Sequence, residues 1–157
     1  MKRNLIISII STIALSLNLL AGSGSATAPW WLKIQDSHYT YIALTNISDA
    51  DVYVYMTLKD KDGIIYNEAS ETGTNLSIEY NFIGDPLSND GALLESGKMG
   101  LLRIKEVGPS KSGYCKIEWN STGNNIRSLI GVVNQVVKDQ NVERSSNYML
   151  INNGLPF

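Results

Sequence analysis

Beyond residue 38 the chain alternates apolar and polar positions with a period of two, the pattern of strands that bury one face. Ile42 and Leu44 alternate with Tyr41 and Ala43, while Val52, Val54, Met56 and Leu58 alternate with Tyr53, Tyr55 and Thr57. Between the two runs, Asn46-Ile47-Ser48-Asp49-Ala50 has turn chemistry, so a hairpin is predicted. Burying both apolar sets on one face then sets Ile42 opposite Val54 and Tyr41 opposite Tyr55, because a one-residue slip would turn a strand over. Asp60-Lys61-Asp62-Gly63 predicts a second tight turn, into Ile64-Ile65-Tyr66, with Gly63 at the positive-φ position.

Leu76, Ile78, Tyr80 and Phe82 predict a further strand ending at Gly84-Asp85-Pro86, followed by a loop to Gly91. Leu102 and Ile104 mark another, stopped by Val107-Gly108-Pro109. Tyr114 to Trp119 forms the next, with Cys115, Ile117 and Trp119 on one side. Residues 126–137 also fit one helical face through Ile126, Leu129, Ile130, Val133, Val136 and Val137. Their β-branched side chains and Gly131 favour a long bent strand, with Gly131 as a bulge or close-approach point and one helix over 126–137 as the alternative. Tyr148 to Ile151 reads as the last strand and residues 152–157 as a surface tail. This spacing predicts an all-β fold, an immunoglobulin-like antiparallel β-sandwich. Residues 44–52 with 58–63 resemble strand-turn-strand segments of exported immunoglobulin-like domains. That resemblance implies the sandwich and carries no binding residue.

The N-terminus has a different texture. Lys2 and Arg3 precede an apolar run from Leu5 to Leu20 and the small-residue segment Ala21-Gly22-Ser23-Gly24-Ser25-Ala26-Thr27-Ala28, which together describe a secretory signal peptide. Ser8, Ser11, Thr12, Ser16 and Asn18 interrupt the run, which a membrane span of about 20 apolar residues would not tolerate. Cleavage after Ala26 uses Gly24 and Ala26 as the small pair; cleavage after Ala28 would leave Pro29 first. The expected organisation is a signal peptide over residues 1–26 and a single β-sandwich domain over 27–157, exported to a secreted, periplasmic or cell-surface location with no stable membrane span after processing.

Charge and composition then remove function classes. The leader holds two of the 13 basic residues, leaving 11 against 15 acidic and a net charge of −4 on the mature domain. No Lys/Arg cluster is present to displace counterions from phosphates, so nucleic acid is not an expected partner. Cys115 is the only cysteine, so no internal disulfide can form, and its position beside Ile117 and Trp119 predicts a core residue. His38 is the only histidine; no hydrolytic triad or zinc set can be assembled around it. Asp60-Lys61-Asp62-Gly63 fails as a calcium loop, since Ile64 and Ile65 stand where an oxygen ligand and a glycine belong. No catalytic residue, cofactor or metal site is expected.

One surface stands out. Tyr39, Tyr41, Tyr53 and Tyr55 all oppose the core set in the alternation, so the predicted hairpin gathers four tyrosines on one sheet face. Tyrosine offers a broad apolar ring with a hydroxyl, suited to a protein interface or to stacking on sugar rings. Trp30 and Trp31, near the expected mature N-terminus, either cover that stripe as a first strand or reach a partner. The sequence thus predicts an exported, non-catalytic structural or protein-interaction module, self-assembling or docking through the Tyr face, an edge strand or the Trp arm. The alternative is a carbohydrate-binding module using the same tyrosines with Asn46, Asp49 or Asp51 on the glycan hydroxyls.

Overall fold

Strands with one apolar face need a second such surface to cover it. The chain provides one by folding into two five-stranded antiparallel sheets packed face to face. The structure is a computed structural model and describes residues 22–66, 78–105, 109–121, 123–124, 127–139 and 142–157. Its strands are β1 (Ser23–Lys33), β2 (His38–Asn46), β3 (Val52–Asp60), β4 (Ile78–Tyr80), β5 (Ile83–Gly84), β6 (Ala92–Leu94), β7 (Met99–Ile104), β8 (Lys111–Ser121), β9 (Leu129–Asp139) and β10 (Val142–Leu150). A 3-10 turn over Ile151–Gly154 follows. The front sheet runs β1-β8-β3-β6-β5 and the back sheet β10-β9-β2-β7-β4.

Between them lie Ile42 and Leu44, Val52, Val54, Met56 and Leu58, Leu102 and Ile104, Ile117 and Trp119, and Val133. The alternation therefore identifies the core positions of β2, β3, β7 and β8. Cys115 lies in the same core, fully buried and unbridged. Each such side chain contributes about 1.5–3 kcal/mol on leaving water, and this burial holds the sheets together.

The predicted hairpin between the first two runs does not form. Within the back sheet, β2 lies between β7 and β9, with Ile42 opposite Leu102 and Val133; β3 lies in the front sheet, with Val54 opposite Ala92 and Trp119. Asn46 is the residue that redirects the chain. It is fully buried, donates its side-chain amide to the Ala50 carbonyl at 2.9 Å and the Leu94 carbonyl at 3.0 Å, and accepts from the Ser48 N–H and hydroxyl. A buried amide satisfied in this way anchors a crossover between sheets, whereas a hairpin turn would leave it in solvent. The pairs β1·β8, β2·β7 and β3·β6 nest inside one another as in a jelly roll. The central pairs β2·β7 and β3·β8 are those of an immunoglobulin-like sandwich; the outer strands depart from it, with β1 beside β8 and β9 beside β2.

Other elements sharpen the sequence reading. The turn at Asp60–Gly63 forms as expected, with Gly63 at φ 79° and Asp60 Oδ1 accepting from the N–H groups of Asp62 and Ile64. The strand expected to run through Phe82 ends at Tyr80, because the chain crosses to the front sheet at Asn81 and buries Phe82 on the way. The ambiguous segment is a strand, β9. Gly131 is a close-approach point within an unbroken register: a Cβ there would lie 2.7 Å from both Ile151 Cδ1 and Leu44 Cδ2.

The expected surface tail is a correction. Asn152 and Asn153 adopt φ of 51° and 54° and turn the chain back, and Phe157 joins the core with its N–H donating to the Leu129 carbonyl at 2.9 Å. The leader up to residue 21, the starts of the runs at Leu76 and Ile126, and the stop at Val107-Gly108 lie outside the described residues. The cleavage point expected after Ala26 falls inside β1.

Candidate binding surface

Splitting β2 and β3 between sheets divides the tyrosine stripe. Tyr39 and Tyr41 lie on the outer face of the back sheet, opposite Val136 and Asn134 of β9. Tyr53 and Tyr55 lie on the outer face of the front sheet, opposite Asn120 and Glu118 of β8. The register that paired Tyr41 with Tyr55 is thus overturned by the Asn46 crossover, although the inward and outward parity of both strands is as predicted.

Tyr39 is also not exposed. The Arg103 guanidinium lies 4.2 Å above its ring centre and Tyr41 meets it edge-on at 5.2 Å, leaving it fully buried. Burial, with Glu143 and Tyr41 beside the hydroxyl, pushes its pKa well above the usual tyrosine value. Arg103 faces Glu79 at 3.7 Å and Glu143 at 3.9 Å, and Lys105 also pairs with Glu79. Arg103 thus links β7 to both β4 and β10, the outermost strands of the back sheet. Such part-exposed pairs contribute about 0–1 kcal/mol each, so they order this end of the face more than they stabilise the fold.

Toward the other end the same face becomes apolar. Ala43, Thr45, Met99, Ile130, Val132 and Leu150 line an open depression of about 260 Å³. Met99 and Leu150 are more than half exposed, and Tyr148, on the same strand as Leu150, is 70% exposed.

β10 itself was only partly foreseen, through Tyr148 to Ile151. Residues 142–148 and Leu150 are exposed, on both faces of the strand, so neither face carries the apolar alternation that marks a strand in sequence. It pairs on one side with β9, with a register shift between Ser145 and Asn147, and it forms the edge of the sheet.

The tryptophans do not form a binding arm together. Trp31 is fully buried, its indole N–H within 3.1 Å of the Lys59 and Tyr114 carbonyls and its ring 5.0 Å from Tyr66. Trp30 is half-buried at the register shift between Ala28 and Trp31, where Pro29 needs no ladder partner for its missing N–H. The front face carries a polar depression lined by Tyr55, Thr57, Ser88, Asn89, Glu118 and Asn120, with a volume of about 380 Å³. Of the polar residues expected on a glycan, Asn46 is structural and Asp51 accepts from the Ser96 N–H at 2.9 Å. Burial pushes the Cys115 thiol pKa up, which suits a core residue and not a nucleophile. His38 opens β2, with its Nδ1 2.8 Å from the Ser37 hydroxyl. Among the described residues no helix is long and apolar enough to cross a membrane.

No protein-family model matches the chain, and no curated protein matches it. Among solved structures it is similar to protein 1070 of Thermotoga maritima, at 13% identity over 79% of this chain and 92% of that one, with a TM-score of 0.43. It is also similar to a variant of BcpA, the major pilin subunit of Bacillus cereus, at 9% identity over 83% of this chain and 39% of that one, with a TM-score of 0.33. At these scores the likenesses carry no functional argument; the chain's own surfaces must.

Proposed function

We propose that this chain is an exported, non-catalytic interaction module that pairs through the free edge of β10, with a second copy of itself as the partner. The supporting observation is the exposure of β10 on both faces along an edge that ends in Tyr148 and Leu150. An edge strand presents unpaired backbone groups to an added strand and needs no specialised side-chain chemistry. Self-pairing is favoured by the sequence of the strand. Two antiparallel copies centred between Ser145 and Ser146 keep the faces matched across the register shift and set Val142 against Met149 and Glu143 against Tyr148, an apolar pair and a carboxylate–hydroxyl pair, each made twice by the two-fold symmetry.

A Ser146→Cys variant tests this geometry, since Cys115 is buried and leaves the new thiol as the reactive one. Mild oxidation is expected to give a covalent dimer, with a Ser110→Cys control remaining monomeric. Equal cross-linking of both variants, or of neither, contradicts the reading.

A second reading rests on the polar depression beside Tyr55, which has the ring and the hydrogen-bonding groups that a sugar would use. It predicts saturable binding of a glycan that Tyr55→Ala abolishes. No response across a glycan panel removes it.

A further inference from the structure

We infer that the leader ends before Gly22, so that Ser23–Ala26 remain on the exported protein as the first part of β1. This rests on the export reading. Ser23, Gly24, Ser25 and Ala26 pair in register with Asn120, Trp119, Glu118 and Ile117 of β8. The anchoring begins one residue earlier: the Gly22 N–H donates to the Gly123 carbonyl at 2.8 Å, and the Gly22 carbonyl accepts from the Ser121 N–H at 2.7 Å.

Side-chain packing points the same way. Gly24 lies against the Trp119 indole so closely that a Cβ would come within 2.6–2.8 Å of three ring atoms, and Trp119 is only 1% exposed. The smallness of residue 24, which suits a peptidase site, is thus also what the packing of the mature domain requires. Cleavage after Ala26 would strip β8 of its β1 neighbour from Ile117 to Asn120, leaving β3 on the other side, uncover Trp119, and set a new ammonium group on Thr27 directly across from Lys116.

Ala21 is the small residue immediately before the anchored segment; Leu19 stands two residues earlier, where the Ala26 site has Gly24, so the pairing of β1 and not the small pair selects this bond. Water hydrolyses the Ala21–Gly22 peptide bond at the host's leader peptidase, leaving a carboxylate on the released leader and an ammonium group on Gly22.

The experiment expresses the full chain in an exporting bacterial host and measures the intact mass and thermal midpoint of the exported protein, alongside full-chain Gly24→Val and Ser25→Thr variants. The expected mass is that of residues 22–157. The Gly24→Val protein is expected to carry the mass of its substitution and to melt about 5 °C or more lower, because the new side chain displaces Trp119. Ser25→Thr, on the exposed face, leaves the midpoint unchanged. An exported protein starting at Thr27 overturns the inference while leaving export standing, and the two variants would then yield the same product. A chain retained in the cytoplasm with its full mass overturns both.

Discussion

β9 and β10 are two strands of one hairpin, joined in register from Val142↔Asp139 to Leu150↔Val132, yet they live in different environments. In β9, Leu129, Gly131, Val133 and Gln135 are buried, and the strand has neighbours on both sides. In β10 every residue but Met149 is exposed, and β9 is its one extensive contact among the described elements. Strand pairing alone therefore does not confer burial; a strand is covered only where the opposite sheet lies across from it. β9 belongs to the fold, and β10 is held at its margin, available for pairing.

Packing gives the largest way to break this contrast. Gly131→Val in β9 forces a side chain onto Leu44 and Ile151 and is expected to cost about 3 kcal/mol, read as a lower urea midpoint at unchanged slope. A midpoint within error of wild type would show that β9 is no more constrained than β10.

Alkaline pH sharpens the contrast through buried groups. The Cys115 thiol and Tyr39 hydroxyl are held protonated in the folded chain, while the unfolded chain ionises them near their ordinary values of 9.0 and 10.0. The unfolded state then binds fewer protons, so stability is level below about pH 8 and falls as pH rises, by about 1 kcal/mol between pH 8 and pH 10 from the thiol. Cys115→Ala is expected to remove the earlier part of this fall in denaturation curves taken at each pH. A wild-type curve flat to pH 10 contradicts the assignment.

Arg103→Ala tests the tie between the two regions. It removes the stack on Tyr39 and the facing charge for Glu143, with an expected cost of about 1 kcal/mol and faster amide exchange in β10 than in β9. Uniform exchange across both strands would show that Arg103 does not hold the margin.

The legible parts of this molecule are those in which burial imposes a period. Val52 to Leu58 reveals its inner face because alternate side chains touch the other sheet, and Leu129 to Val137 is strand, with Gly131 admitting Leu44 and Ile151. What was not legible was which sheet each strand joins. Asn46 is common turn chemistry in sequence, and only its burial against Ala50 and Leu94 shows that it carries the chain across the sandwich. The four-tyrosine face followed from that missed crossover. β10 was hidden for the opposite reason: Glu143 to Tyr148 has no covered face and so no pattern to read. The candidate surface is therefore poorly visible in sequence, and Leu150 with Tyr148 is its main trace.

The smallest expected change in stability comes from β10 itself. A Tyr148→Lys/Leu150→Lys double variant should shift the unfolding free energy by less than about 0.5 kcal/mol, since both side chains are exposed. It is also the direct test of the proposed interface. Molar mass by light scattering over a concentration series should rise toward a dimer for the exported wild-type protein and stay at the monomer value for the double variant. A wild-type monomer at all concentrations, or a dimer that survives both lysines, would contradict pairing through β10.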